Sequence, residues 1–202
     1  MSKLGRPRTF NREKALNKAM EIFWAKGYEG ATLTDLQKAM GGITAPSFYA
    51  AFGSKEKLFR EAVDLYSKIQ EIPILNALTP KSTTRASVEA FLMVIAESFT
   101  QSDKPHGCLV ILGGINCMQD NKSVQDYLRD RRAARQHLIL QRLQRGVEDG
   151  DLPADIDLKP IATFYSTVIN GLAILARDGA TRKDLKTTVE SAMAAWDTLV
   201  KR

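Results

Sequence analysis

Apolar residues return every three or four positions along almost the whole chain, and the one-in-two alternation of a strand is sustained nowhere. That pattern restricts the 202 residues to an all-α fold. Leu16, Ala19, Met20 and Phe23 mark a first helix from about Asn11 to Lys26, with Gly27 placed to stop it. A second helix is expected over Leu33–Met40, with Thr32 and Thr34 available as caps, and Gly41-Gly42 then breaks the chain. Thr44 is the N-cap of a brief third helix, whose first turn tolerates Pro46 because the missing N–H costs little there. Ser54 opens a fourth helix with an apolar stripe of Leu58, Phe59, Ala62, Val63, Tyr66 and Ile69, expected to end at Pro73.

Five more helices are expected downstream, about nine in all. The first runs from about Ser82 to Thr100, with Val88, Phe91, Leu92, Ile95 and Phe99 on one face. An apolar piece from about Gly107 to Met118 reads as buried all round. A long charged helix follows from about Ser123 to Asp149, then helices at about 158–177 and 181–201 separated by Gly179. This divides the chain into a short basic arm (1–9), a small helical head (10–66) and a helical body (67–202).

Charge separates the same parts. The net charge is +6, and residues 1–60 hold 11 Lys and Arg against 5 Asp and Glu, so the remaining residues are neutral as a set. A localised basic surface attracts polyanions because each neutralised phosphate releases condensed counterions. An acidic membrane surface or plain solvent satisfies the same charge. Two cysteines, Cys108 and Cys117, imply no disulfide framework and fit a reducing compartment. The basic start is not followed by an apolar stretch, so no secretory signal is expected. The longest nearly apolar stretch is read as Cys108–Met118, below the roughly 20 residues that span a bilayer. The expected location is cytoplasmic, with no membrane partner.

Residues 32–52 form two short helices joined by a glycine turn, the sequence form of a helix-turn-helix. Leu36, Ala39, Ile43 and Phe48 are spaced to pack the pair together. The second helix then presents its N-terminal end, which is able to enter a major groove and carries free N–H groups suited to phosphate.

The segment from Thr32 to Leu58 resembles the DNA-binding signature of the tetracycline-repressor (TetR) family. The resemblance rests on Thr32, Leu36, Gly41 to Thr44, Phe48-Tyr49, Phe52 and Ser54-Lys55-Glu56-Lys57-Leu58, with Phe23, Gly27-Tyr28 and Ala31 upstream. It covers about residues 10–66, and the rest agrees in helix count and order. It implies that Thr32 or Thr34 meets a phosphate, that Thr44, Ala45 and Ser47 face base edges, and that Tyr49 and Lys55 hold further phosphates. It also implies that Arg6 and Arg8 reach into a minor groove. Each residue has a plainer reading: capping for the threonines, core packing for Tyr49, a solvated tail for the arginines. The match departs in three places. Gly41-Gly42-Ile43 is one residue longer than the family's usual turn, Pro46 replaces a common Gly, and Ala51 replaces a residue that often touches the backbone.

The resemblance further implies a homodimer through the last two helices, on a palindromic double-stranded DNA operator, and a pocket in the body for a small-molecule effector. Phe164, Tyr165, Val168, Leu172 and Leu175, with Leu185, Val189, Ala192, Met193 and Trp196, are placed for either the dimer face or the protomer's own core. Candidate pocket residues are Phe91, Ile95, Phe99, Cys108, Ile111, Leu112, Phe164 and Val168, all of which also suit plain core. The expected function is a ligand-released repressor. An alternative is a redox or electrophile sensor acting through Cys108, which follows His106-Gly107 at a helix start. No metal site or cofactor is expected. No nucleophile elbow, phosphate loop or dinucleotide fingerprint is present, which argues against an enzyme. The neutral body argues against a non-specific nucleoid protein.

Overall fold

Asn11 accepts a hydrogen bond from the Lys14 N–H at 2.9 Å and so starts helix α1, Arg12–Gly30. The computed structural model describes residues 10–78 and 83–201, and Arg6 and Arg8 lie outside them. Within that range α1 is followed by α2 (Leu33–Ala39), α3 (Ala45–Phe52), α4 (Lys55–Leu78), α5 (Thr84–Phe99) and α6 (Leu109–Leu112). Then come α7 (Lys122–Glu148), α8 (Leu158–Arg177), α9 (Arg182–Ala194) and α10 (Trp196–Val200). The described residues contain ten α-helices and no strand.

Gly27 does interrupt α1, with φ of 71°, and one further turn follows it. The left-handed backbone frees the Tyr28 N–H to donate to the Gly113 carbonyl at 2.7 Å, and a Cβ at 27 would sit 3.3 Å from that oxygen. α1, α2 and α3 form the head. α4 packs on α1 at one end and on α5 further along, so it belongs to both head and body. Phe23, Tyr28 and Phe59 meet edge-on or stacked where α1 crosses α4, with Phe23 and Phe59 centroids 5.0 Å apart. Burying each such ring contributes about 1.5–3 kcal/mol. Trp24 stands edge-on to Tyr66 at 4.8 Å, continuing the same seam into the body.

Four sequence expectations are corrected. α4 does not end at Pro73 but runs to Leu78 with the proline inside it. The proline deprives the Ile69 carbonyl of its helical donor. Ile69 itself is 52% exposed, while buried Ile74 and Ala77 hold the later turns to the body. The same exposure removes Ile69 from the buried stripe. Second, the 107–118 segment is buried over Gly107–Ile111 and at Gly113 but not beyond, and Ile115 and Met118 are 55% and 68% exposed. Third, the final helix is broken at Ala195, which turns Trp196 into the core beside Tyr165. Fourth, the longest apolar helix is α8, whose length and composition would suit a membrane span although only 33% of its most apolar window is buried.

Candidate nucleic-acid interface

The head presents two short helices with different N-termini. At α2, Thr32 Oγ1 accepts from the Asp35 N–H at 3.1 Å, and the Asp35 carboxylate accepts from the Thr32 N–H at 3.1 Å and its hydroxyl at 2.8 Å. This is a reciprocal capping box. Lys26 Nζ adds an ion pair to Asp35 at 2.9 Å. The lysine and then Thr32 hold the Asp35 carboxyl down to about 2. At α3, Thr44 Oγ1 accepts from the Ser47 N–H at 3.4 Å and donates to the Ser47 hydroxyl at 3.0 Å. The first turn of α3 holds no carboxylate. Its positive dipole end is therefore not neutralised from within the helix.

The turn between them is a Schellman stop: the Gly41 N–H donates to Lys38 O at 3.2 Å and the Gly42 N–H to Gln37 O at 2.9 Å. Gly41 and Gly42 have φ of 91° and 79°, so the longer turn needs both glycines. Leu36 and Phe48 are fully buried across the turn and Ile43 packs half-buried against them. Ala39 stays half-exposed.

Thr32, Thr34, Thr44, Ser47 and Tyr49 are all exposed and Ala45 is half-buried. Tyr49 stands edge-on to buried Phe48, which anchors the ring while leaving it 51% exposed. Lys55 behaves differently. Its Nζ lies 4.5 Å from the centre of the Tyr28 ring, and burial lowers its pKa. Arg12 fixes the head by pairing with Glu61 at 2.7 Å, donating to Ala51 O at 3.3 Å and stacking on Phe52. Ala51 thus takes part in fixing the head through its backbone carbonyl. Lys14 and Lys18, which sequence reasoning did not single out, are exposed on α1 and border a concavity that reaches Met40 and Gly41. Their four-residue spacing is the signal that would have found them.

The head is tied to the body through α6 and its flanks. Trp24 Nε1 donates to Gly107 O at 3.2 Å, Tyr28 N to Gly113 O, and Arg177 to Trp24 O at 3.3 Å. Glu29 accepts from the Met118 N–H at 2.9 Å and Asn121 Nδ2 at 2.7 Å, and these bonds lower its pKa.

A cleft of about 290 Å³ opens between α4 and α7, floored by Val110 of α6. None of the eight residues expected to line a pocket borders it. Phe91, Ile95, Phe99, Cys108 and Ile111 are closed core, and Leu112, Phe164 and Val168 pack half-buried onto it. The most regular apolar faces are those that packing fills. The cleft lies instead where Gln70, Arg131 and Arg135 interrupt such faces.

The family model for bacterial regulatory proteins of the tetR family matches residues 15–62, and that for the tetracyclin repressor-like C-terminal domain matches residues 85–190. The chain belongs to the TetR family. Among TetR relatives, the HTH-type transcriptional repressor ComR of Escherichia coli (strain K12) is 32% identical over 98% of this chain and 94% of its own length. The repressor BdcR of the same strain is 28% identical over 97% and 94%. A cysteine mutant of the TetR-family regulator CifR, solved in complex with a 26-base-pair double-strand operator DNA, superposes with a TM-score of 0.90. It is 42% identical, covering 95% of this chain and all of that one.

Proposed function

We propose that this chain is a homodimeric repressor that reads a palindromic DNA operator with α3 and releases it when a small molecule enters the body. The observation that carries this reading is the exposed, carboxylate-free N-terminus of α3, edged by Thr44, Ala45 and Ser47 and flanked by Tyr49. Thr44, Ala45 and Ser47 meet base edges, while Tyr49, Thr34 and Lys14 meet phosphates. Lys55 reaches a phosphate only by leaving Tyr28.

One short helix reads few base pairs, so two copies on half-sites about 34–36 Å apart are needed. The outer stripe of α8 supports the dimer. Thr163, Thr167, Gly171, Ile174 and Leu175 are exposed along it, and Thr187, Ser191 and Ala194 of α9 continue a surface of small residues. The larger apolar residues, including Tyr165, Leu172, Val189 and Trp196, turn into the protomer's own core. Effector release runs through α6. Val110 floors the cleft while Gly107 and Gly113, just outside the helix, bond to Trp24 and Tyr28 of α1. A ligand that shifts α6 shifts the head. Such a regulator works in the cytoplasm and catalyses no reaction.

A second reading rests on Cys108, at which Arg135 directs two N–H groups from 3.7 and 3.8 Å. A cationic neighbour is typical of reactive cysteines, although this thiol is fully buried. Loss of oxidant response in Cys108→Ser would support it.

The test of the main reading is binding to DNA from upstream of the protein's own gene, with random competitor, at two salt concentrations. Selective binding that survives competitor is expected. Binding abolished equally by any duplex contradicts the reading.

A further inference from the structure

Two polar groups, Arg135 and Gln70, line the α4–α7 cleft from its two helices. Arg131 pairs with Asp64 and with the Tyr127 hydroxyl at 3.1 Å, so its charge is compensated. Arg135 lines the same cleft one turn along and has no carboxylate partner among the described residues. Among the described residues its side-chain hydrogen bonds go to Cys108 Sγ. A partly buried guanidinium without an anion is costly unless one is supplied. Across the cleft, Gln70 of α4 lines the opening and is only 8% exposed. The remaining wall is mostly apolar, built from Ile74, Leu75, Val110, Ala134 and Leu138, and the Ser67 hydroxyl beside them donates to the Val63 carbonyl of its own helix.

We infer that the cleft binds a small organic carboxylate, its acid end held between Arg135 and Gln70 and its hydrocarbon part laid along Val110 and Leu138. Arg135 supplies the charge, and a carboxylate takes its planar fork in two parallel hydrogen bonds. Gln70 donates to a carboxylate oxygen with its NH₂ group. The apolar wall selects an organic acid over an inorganic anion. This inference rests on the ligand-released reading and names the chemical class of the effector.

The test uses the full chain and four probes: octanoate, 1-octanol, octylamine and inorganic phosphate. The first three share one tail and differ in the head group. Titration calorimetry is expected to show octanoate binding about tenfold or more tightly than the other three, the difference one charge-assisted hydrogen bond supplies. Arg135→Gln should reduce octanoate to the level of octanol. Gln70→Leu, on the opposite wall and away from Cys108, should weaken octanoate while leaving octanol unchanged, and it carries the test if the arginine variant fails to fold. Equal binding of octanol and octanoate, phosphate binding as tight as octanoate, or an unchanged octanoate affinity in Gln70→Leu would overturn the assignment. Operator release is followed separately. Octanoate that binds without releasing DNA contradicts the release reading and leaves the carboxylate site standing. Absence of octanoate binding, in a protein that other small molecules still release from DNA, overturns the carboxylate class alone.

Discussion

The N-termini of α2 and α3 lie twelve residues apart and begin with the same residue type, yet they differ in charge. Thr32 starts Thr-Leu-Thr-Asp35 and Thr44 starts Thr-Ala-Pro-Ser47. The first closes a reciprocal box around a carboxylate that also holds Lys26. α9 repeats that box with Thr181 and Asp184. In the second, a serine stands where the carboxylate would be, and the hydroxyl pair caps the helix without cancelling its dipole. A carboxylate stabilises a helix end but repels phosphate. A helix that must meet DNA end-on has to be capped by neutral groups. One side chain at the third helical position, Asp35 in α2 and Ser47 in α3, sets the charge of the two helix starts apart.

The comparison is broken most severely by Ser47→Asp, which converts the α3 cap into the box of α2 and α9. The variant should fold with an unchanged or slightly higher melting temperature. Its operator affinity should fall about a hundredfold or more, since like charge at an interface costs several kcal/mol. Fluorescence anisotropy with labelled operator, alongside a thermal melt, checks both halves.

Alanine substitutions of the two caps should have a smaller effect. Thr32→Ala and Thr44→Ala should each destabilise the protein by about 1 kcal/mol in urea unfolding. Only Thr44→Ala should also lose operator affinity beyond what its stability loss explains, by roughly tenfold. Matching losses in both variants would mean that Thr32 is as much a DNA contact as Thr44.

The smallest effect is in acid. The Asp35 carboxyl is lowered from 3.8 to about 2. A lowered carboxylate contributes its full stabilisation above the unfolded value, and that contribution is lost as pH falls through the folded one. The α2 cap should therefore weaken between about pH 4 and 2. Asp35→Asn should flatten that part of the acid-unfolding curve, whereas Ser47→Ala should leave it parallel to the wild type.

The sequence carried the helix starts because caps are local: Asn11, Thr32, Thr44 and Thr181 need only the next three residues to declare themselves. The glycine turn is visible too, with its extra residue, but what that residue does is not. The structure shows that it completes a Schellman stop and brings Ile43 onto the core. Pro73 misled because a proline's cost is local, while its tolerance depends on burial of Ile74 and Ala77 by distant helices. The cleft was illegible for a related reason. Periodicity finds faces that are apolar enough to be filled, and an open cleft is a face that is not. Gln70 and Arg135 read as ordinary polar positions on α4 and α7 until the fold sets them across one opening. The residues that would hold DNA were legible as types and positions, but Lys55 resting on Tyr28 required the packing of α1 against α4.

The central claim is that α3 reads bases while α2 only holds position. It is tested most directly by the specificity ratio, operator affinity over random-duplex affinity at fixed salt, in Ser47→Ala and Thr34→Ala. Ser47→Ala should lower the ratio, because its effect falls on the operator alone. Thr34→Ala should weaken both duplexes together and leave the ratio unchanged. A ratio that moves with Thr34 and not with Ser47 would contradict the account.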